Sequence, residues 1–249
     1  MRLEARGLVR VFPDGTRALD GADLELRTPC FMVLSGPNGS GKTVLARHFV
    51  GLERPQAGSV LADGIPVERC LAETRRRVGF VFQEPEHQIL GITAGEDVEF
   101  GIRGRVPDRK ERRRRALRAL QNAGLAGSED RLASALSGGQ KRRLAVASAL
   151  VSDPELIILD EPFNGLDPAG ASGLLRVLLS LRDRGVGILL VTHDLEKCLA
   201  HADRLAVLDS GRVTADGPPA ELWNRLPSLG LRRPPGGSDR LGEMTWLNG

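Results

Sequence analysis

The chain has few of the residues that stabilise a fold through disulfide bonds or bound metal ions. Only three of its 249 residues are cysteines, and Cys30, Cys70 and Cys198 stand far apart. This number and spacing argue against a disulfide framework and a Cys-x-x-Cys metal site, and they are typical of a protein kept in a reducing cytosol. The four histidines likewise show no spacing expected of zinc ligands.

Long apolar runs are also missing. The longest, such as 156–159, are as long as a β-strand and far shorter than the roughly 20 residues that a membrane helix needs. The charges at Arg2, Glu4, Arg6 and Arg10 interrupt any apolar run of a signal peptide. A net charge of +3 is small for this length and indicates no general nucleic-acid role. If a membrane matters to this protein, we expect a partner to supply the spanning segments.

One glycine-rich stretch organises the rest of the chain. It lies between an apolar, strand-like run and a helix-like run, and its Gly-x4-Gly-Lys-Thr spacing fits the phosphate-binding P-loop. Glycines let successive backbone N–H groups point at phosphate oxygens, and the start of the helix adds its positive end. Lys42 is expected to reach the β- and γ-phosphates, and the Thr43 hydroxyl to bind Mg²⁺. The predicted nucleoside triphosphate site comprises Gly36, Pro37, Asn38, Gly39, Ser40, Gly41, Lys42 and Thr43.

Polar side chains follow three further apolar runs, at the edge where open α/β sheets place ligand-binding groups. Asp160 and Glu161 end one run, where the first can hold Mg²⁺ and the second can polarise an attacking water. Gln83 ends another and is either a contact to Mg²⁺ or water, or a plain polar residue at a strand end. His193 ends the third and is either a γ-phosphate sensor or a structural histidine.

A second helix start has the residues of a phosphate site. Ser137 suits an N-cap, and Gly138 and Gly139 follow it into a helix of small residues. The N-terminus of such a helix can hold a phosphate. The two helix starts therefore either face one ligand or each serve a ligand shared with another subunit.

Two other features allow two interpretations. Phe12, before a turn at 13–16, is a core aromatic or a ring that stacks on a flat base, and its segment alone favours the core. Residues 109–115 hold six basic side chains and one acid. They form either a nucleic-acid or lipid-headgroup patch, or the solvated face of a helix that buries Ala116, Leu117 and Leu120. No aromatic residue interleaves the arginines, so we favour the solvated face.

Together these motifs resemble a known family. With the P-loop, Gln83, the Leu-Ser-Gly-Gly-Gln signature at 136–140, Asp160, Glu161, Asp167 and His193 in this order, residues 1–225 resemble an ABC-type ATPase cassette. The resemblance implies an α/β fold, a P-loop NTPase with a RecA-like mixed or parallel sheet core. It also implies an N-terminal antiparallel β subdomain and an α-helical subdomain inserted at about 86–150. Residues 226–249, rich in Pro and Gly, are predicted to form a loose C-terminal tail.

The resemblance also implies roles for single residues. Phe12 would stack on adenine, which reverses the local preference for the core. Gln83 would be the Q-loop glutamine, Asp160 the Walker B acid, Glu161 the catalytic base and His193 the switch histidine. Two cassettes of this family pair head to tail. The remaining candidates would serve that pairing, completing the partner's ATP site or contacting the partner: Ser137, Gly138, Gly139, Gln140 and Asp167.

A finer resemblance is to the energy-coupling-factor ATPases. It rests on 82–88, 96–101 and 140–145. That subgroup drives uptake of vitamins and of cobalt or nickel ions through a transmembrane coupling subunit and a substrate-binding membrane subunit. The resemblance therefore implies an ATPase that uses ATP and Mg²⁺ and lies peripherally on the cytoplasmic face of the cell membrane. The solute, cobalt or nickel or a vitamin such as biotin, stays open, as does homodimer versus heterodimer.

Other functions fit the sequence less well. An importer ATPase of another ABC subgroup is the nearest alternative. A non-transport cassette acting on nucleic acid would show a second cassette, a long coiled insertion or a strongly basic extension, so we expect no nucleic-acid partner. A regulatory module that does not hydrolyse would lack Glu161 or His193, and both are present.

Overall fold

A computed structural model describes residues 1–247 of the chain. The last two residues of the predicted tail lie outside this described part. The strands are β1 Arg2–Val11, β2 Arg17–Arg27, β3 Phe31–Ser35, β4 Ala57–Ala62, β5 Ile65–Pro66, β6 Val78–Val81, β7 Leu156–Asp160, β8 Gly187–Val191, β9 Arg204–Asp209 and β10 Arg212–Gly217. The α-helices are α1 Lys42–Phe49, α2 Leu71–Arg77, α3 Ala94–Phe100, α4 Arg109–Asn122, α5 Gly138–Leu150, α6 Pro168–Asp183 and α7 Pro219–Leu222.

Two sheets form the frame of the molecule. The first is antiparallel, with the order β2-β1-β4-β5. The second has the order β10-β9-β3-β8-β7-β6, in which β10 is antiparallel to β9 and all other neighbours are parallel. The predicted α/β class, with a largely parallel core sheet and an N-terminal antiparallel sheet, is confirmed. β3, β6, β7 and β8 end at one edge, so the residues that follow them meet there.

The central strands are apolar because both faces of their sheet are covered. Every residue of β3, β7 and β8 is buried. In β3, Phe31 and Val33 belong to the core beneath α5 and α6, whereas Met32 and Leu34 belong to the core shared with α1 and the antiparallel sheet. This two-residue alternation lets one strand fill two cores. The strand is thereby fixed on both faces, which holds the loop that leaves it at Ser35.

Helices α3, α4 and α5 lie within the predicted helical span and pack on one another. On α4, Arg114 and Arg115 each contact Glu111 at 2.7 Å, and Arg113 contacts Asp130 at 2.9 Å. These ion pairs favour the solvated-face interpretation of the basic run. Three side chains of α4 are buried, Ala116, Ala119 and Leu120. The expectation that Leu117 is buried as well is wrong, since it is 38% exposed.

The segment after residue 225 is packed against the body of the chain. It forms 3₁₀ turns at Trp223–Leu229 and Ser238–Glu243. Leu231 and Met244 are buried in the core that also holds α5 and α6. The expectation of a loose tail is therefore wrong for 226–247, because its few apolar side chains find a hydrophobic surface that composition alone does not reveal.

Candidate functional site

The glycine-rich loop between β3 and α1 has a conformation that only glycine fits at two positions. Gly36 has a φ of +145°, and a Cβ there would lie 1.9 Å from the carbonyl oxygen of Leu208. Gly41 has a φ of +101°, and its Cβ would lie 2.2 Å from the carbonyl oxygen of Ala18. The positive φ and the nearby carbonyl oxygen at each position both require glycine, which has no side chain. The glycines of the predicted loop are thus demanded by the backbone geometry and by the neighbouring β2 and β9.

Lys42 opens α1 and turns its side chain back over the loop. Its Nζ donates to the carbonyl oxygens of Gly36 and Pro37, at 2.9 Å each. The side chain is 7% exposed, and burial lowers the pKa of the ammonium while the carboxylates of Glu161 and Asp160 partly oppose that shift. The two carbonyl bonds leave one N–H free to donate to a bound anion.

Thr43 and Asp160 join α1 to the end of β7. The Thr43 hydroxyl lies 3.0 Å from Asp160 Oδ1. Asp160 is 1% exposed, and burial raises the pKa of its carboxyl, although the Thr43 hydroxyl acts in the opposite direction. A cation at this pair would relieve the cost of burying the carboxylate.

The residues present fit a magnesium ion bound together with phosphate. Glu161 Oε2 and Ser40 Oγ are buried without a hydrogen-bond partner among residues 1–247. In the same range no group of three or more His, Cys, Asp or Glu is placed to hold a metal. Mg²⁺ keeps several waters and takes one or two protein oxygens plus phosphate oxygens in nucleotide sites. Thr43 and Asp160 supply such a pair.

Glu161 and His193 meet at the same sheet edge, after β7 and β8. His193 Nδ1 lies 2.9 Å from Glu161 Oε1. Glu161 has a φ of +45°, a left-handed backbone that non-glycine residues rarely adopt, and its N–H donates to the carbonyl of Val191 at 2.8 Å. Strained backbone of this kind concentrates at functional sites. The turn aims the carboxylate back over the sheet edge toward the histidine.

Most of these groups border one cleft of about 530 Å³, although Gly36, Ser40 and Asp160 are not among the residues that line it. Phe12 lies at its mouth, half-buried, with the Arg10 guanidinium 5.4 Å from the ring centroid, and it belongs to neither core cluster of the described residues. Gln83 is exposed and also borders the cleft. The lining residues are Phe12, Thr16, Ala18, Asn38, Gly39, Gly41, Lys42, Thr43, Val44, Gln83, Glu161, Asn164 and His193. A flat ring, a phosphate loop and the Glu161 carboxylate around one cleft suit a nucleoside triphosphate.

Asn164 and Arg142 are site residues that the sequence did not reveal as such. Asn164 lines the cleft, and its loop position after Glu161 is the only signal that would have found it. Arg142, 5% exposed on α5, donates to the carbonyls of Gln83 and Asn164. Burial lowers the pKa of its guanidinium. A basic run on a helix predicts a solvated face. The sequence therefore did not indicate that Arg142 connects α5 to the residues of the cleft.

The signature stretch stands apart from the cleft. Ser137 and Gln140 form a capping box at the start of α5. Gly138 borders a second depression, together with Gln83 and Asn164 but without residues of the phosphate loop among those described. A Cβ at Gly138 would meet nothing within 4 Å. Nothing among the described residues requires a glycine there.

Asp167 is likewise exposed and away from the cleft. It caps α6, accepting from the N–H of Gly170 at 2.7 Å. The capping explains its local conformation. Asp167 lies near the signature helix, because a Cβ on Gly139 would be 3.7 Å from the Cα of Gly170, in the helix that Asp167 caps. The two segments predicted to contact a second cassette are therefore neighbours on the surface.

Known proteins are similar to this chain in sequence and fold. A family model described as ABC transporter matches residues 19–164. The energy-coupling factor transporter ATP-binding protein EcfA of Methanocaldococcus jannaschii is 38% identical over 230 residues, which are 91% of this chain and 82% of that protein. The cobalt import ATP-binding protein CbiO of Rhodobacter capsulatus is 40% identical over 238 residues, 93% of this chain and 85% of that one.

Solved structures give the same result. The cbiO1 protein of Clostridium perfringens, part of the ABC transporter complex cbiONQ, has a TM-score of 0.81 at 33% identity and matches 92% of this chain and 96% of that one. A dimeric ATP-binding cassette in a post-hydrolysis state, bound to ADP and Pi, has a TM-score of 0.78 at 29% identity over 87% of this chain and 98% of that one. Because the family model covers more than half of the chain and the relatives cover nearly all of it, the chain belongs to the ABC transporter family and is an ATPase similar to the energy-coupling-factor ATP-binding proteins.

Proposed function

We propose that the chain powers solute import by hydrolysing ATP at the cleft, through a separate membrane complex of the energy-coupling-factor type. The observation that carries this proposal is the meeting of three groups at one sheet edge. They are the phosphate loop, the Thr43–Asp160 pair and the Glu161–His193 pair. The relatives named for energy-coupling-factor transport and cobalt import support the choice of transporter type.

ATP binds along the cleft from Phe12 to the phosphate loop. Phe12 stacks on adenine, which its half-buried place at the cleft mouth supports. Backbone N–H groups from Gly36 to Thr43 surround the β- and γ-phosphates, and the free N–H of Lys42 donates to them. Thr43, Asp160 and Gln83 would hold Mg²⁺, which when bound neutralises charge on the β- and γ-phosphate oxygens.

Hydrolysis proceeds by in-line attack of water on the γ-phosphorus. Glu161 accepts the proton of the attacking water as its oxygen bonds to phosphorus, and the bond to the ADP oxygen breaks to give ADP and phosphate. His193 contacts the γ-phosphate through its free nitrogen while Nδ1 holds Glu161. The buried, preorganised acid and loop stabilise developing charge better than water does.

A second cassette completes the site. Ser137, Gly138, Gly139 and Gln140 of each cassette contact the γ-phosphate bound by the other, and Asp167 contacts the partner. The exposed start of α5, with space above Gly138, supports this head-to-tail pairing. The dimer closes on ATP and opens after hydrolysis, a shift between two populations set by the ligand.

The remaining partners are a transmembrane coupling subunit and a substrate-binding membrane subunit. In residues 1–247 no helix has the length and apolar character to cross a bilayer. We place the chain peripherally on the cytoplasmic face of the cell membrane, with no nucleic-acid partner. Cobalt or nickel is the proposed solute, which the name of the cobalt-import relative supports, and a vitamin such as biotin is the second candidate.

The test is recovery of the tagged full chain from native membranes, with its copurifying proteins identified by mass spectrometry. We expect a small coupling membrane protein and a substrate-binding membrane protein. Uptake of radioactive cobalt, nickel or biotin into vesicles reconstituted with that complex then identifies the solute. Recovery of two ordinary permease subunits with a periplasmic-type binding protein, or of no membrane protein, would contradict the transporter type.

A further inference from the structure

His193 is not held in place by burial. Its side chain is 41% exposed, although Nδ1 contacts the nearly buried Glu161 at 2.9 Å. An exposed imidazole keeps rotational freedom that close packing would remove. Its orientation therefore depends on the polar groups that border it in the loop after β8.

Asp194 faces the other edge of the same ring. Its Oδ1 lies 3.7 Å from His193 Nε2, and its Oδ2 lies 2.6 Å from the ammonium of Lys197. The Asp194 N–H donates to the Thr192 hydroxyl at 3.0 Å, which fixes the backbone of the turn. Lys197 is a partly buried partner, with 12% of its side chain exposed. The carboxylate is thus drawn toward the lysine and away from the histidine.

The end of the described chain covers Lys197 from the opposite side. We call residues 244–247 the C-terminal strap. The Trp246 ring centroid lies 4.5 Å from Lys197 Nζ, and the backbone N–H of Trp246 donates to the backbone carbonyl of Lys197 at 3.3 Å. At this distance between the ring centroid and Nζ, the indole face makes a cation–π contact with the ammonium.

Two further contacts anchor the C-terminal strap to the same loop. The Ala200 N–H donates to the carbonyl of Met244 at 3.0 Å, and Met244 is 1% exposed. Thr245 Oγ1 lies 2.7 Å from His201 Nε2. The strap therefore contacts the loop at three successive points, and Lys197 is the one that leads to His193.

We propose that the C-terminal strap positions His193 for hydrolysis by holding Lys197 against Asp194, an inference that rests on the proposed roles of His193 and Glu161. Trp246 and Lys197 are positioning residues in this account, because neither borders the cleft. With the ammonium held, Asp194 is neutralised on one oxygen and leaves Nε2 free for the γ-phosphate. Without it, the carboxylate swings to Nε2, accepts a hydrogen bond from it and withdraws the ring from the phosphate.

The competing explanation is that the strap only covers the core. A cover would contribute to stability through Met244 and Trp246 but would leave the turnover of the folded enzyme unchanged. The two explanations therefore differ in the catalytic constants rather than in the melting temperature. They also differ in the state of the His193 ring.

The experiment measures kcat and KM for ATP hydrolysis by the full chain in three variants and a control. For Trp246→Ala and Lys197→Met we expect kcat to fall about tenfold with KM within about twofold, the size of effect expected of a positioning contact. Trp246→Phe, which keeps an aromatic face, restores most of the activity. Arg240→Ala is the control, because it removes the exposed pair with Glu243 and a long bond to the Pro235 carbonyl, neither of which involves the C-terminal strap.

A second readout does not depend on turnover. The ¹⁵N shifts of the His193 ring nitrogens in the full chain report their hydrogen bonds, and we expect them to change in Lys197→Met and Trp246→Ala but not in Arg240→Ala. Unchanged kcat and unchanged His193 ring shifts in Lys197→Met would overturn the proposal. This result decides the question even when Trp246→Ala does not fold. If the wild-type chain and Glu161→Gln hydrolyse ATP equally slowly, the proposed function fails, whereas the ring shifts still decide the inference.

Discussion

Thr43 and Asp160 lie 117 residues apart in the chain and are joined by a hydrogen bond of 3.0 Å. The bond connects the first turn of α1, a helix packed on the parallel strands, to the end of β7, an inner strand of that sheet. In the proposed function, this hydroxyl and this buried carboxylate would form half of a magnesium site, and the phosphates would supply the other half. Nucleotide binding at this site would therefore be coupled directly to β7, the strand that Glu161 follows.

Replacing Glu161 by Gln tests its role as the base. The amide keeps the size and the bond to His193 but cannot take a proton, so we expect hydrolysis to slow by roughly 10²- to 10⁴-fold. ATP affinity should stay within a few-fold, because the phosphate loop is untouched. Single-turnover hydrolysis and equilibrium binding of labelled ATP measure the two effects. Glu221→Gln, at an exposed acid of α7, is the control, and equal rates in the two variants would contradict the assignment.

Replacing Gly36 by Ala tests the backbone requirement of the loop. The added Cβ would lie 1.9 Å from the Leu208 carbonyl oxygen at a φ of +145°. We expect the free energy of unfolding to fall by roughly 2–4 kcal/mol and ATP binding to weaken. Urea unfolding measures the first effect. Gly104→Ala is matched, because a Cβ there meets nothing within 4 Å, and it should leave stability within about 0.5 kcal/mol of wild type.

Replacing Gly138 by Arg separates folding from pairing. A side chain at this position finds open space in the single chain, so the melting temperature should change little. In a head-to-tail dimer the same side chain would enter the partner's ATP site, and we expect the ATP-dependent dimer to be lost. Sedimentation in the Glu161→Gln background, with and without ATP, measures this. Gly104→Arg controls for the added charge, and a stable ATP-bound dimer of Gly138→Arg would refute the predicted arrangement.

The stability of the chain should depend on pH through His48. This ring is 1% exposed, lies 2.7 Å from the Val44 carbonyl through Nδ1, and has a buried Nε2 without a partner among the described residues. Burial lowers its pKa below 6.5; the Val44 carbonyl and Glu53 oppose the shift, and Arg10 adds to it. The unfolded state therefore binds the proton more tightly, so stability present at pH 8 is lost as pH falls below about 6.5.

Urea unfolding of wild type and His48→Leu between pH 8 and pH 5 checks this dependence. The variant should lose stability less steeply over that range, although its absolute stability differs. His87→Gln, which changes an exposed histidine that pairs with Glu84, is the matched control. Identical slopes for His48→Leu and wild type would show that His48 is protonated equally in both states.

Much of the site followed from local sequence. The loop from Gly36 to Thr43 was predictable because glycine spacing and a flanking strand and helix dictate its backbone, with no distant residue needed. The positions of Asp160, Glu161 and His193 were predictable for a related reason. Fully apolar runs must be central strands, and parallel strands deliver the residues that follow them to one edge.

Only the tertiary structure decided the features that depend on distant partners. The burial of Arg142 rests on the carbonyls of Gln83 and Asn164, at separations of 59 and 22 residues. The packing of Met244 and the contact of Trp246 with Lys197 depend on a surface assembled from other elements. Composition and periodicity describe a residue and its near neighbours in the chain. Burial and pairing are set by which surfaces the completed fold brings together.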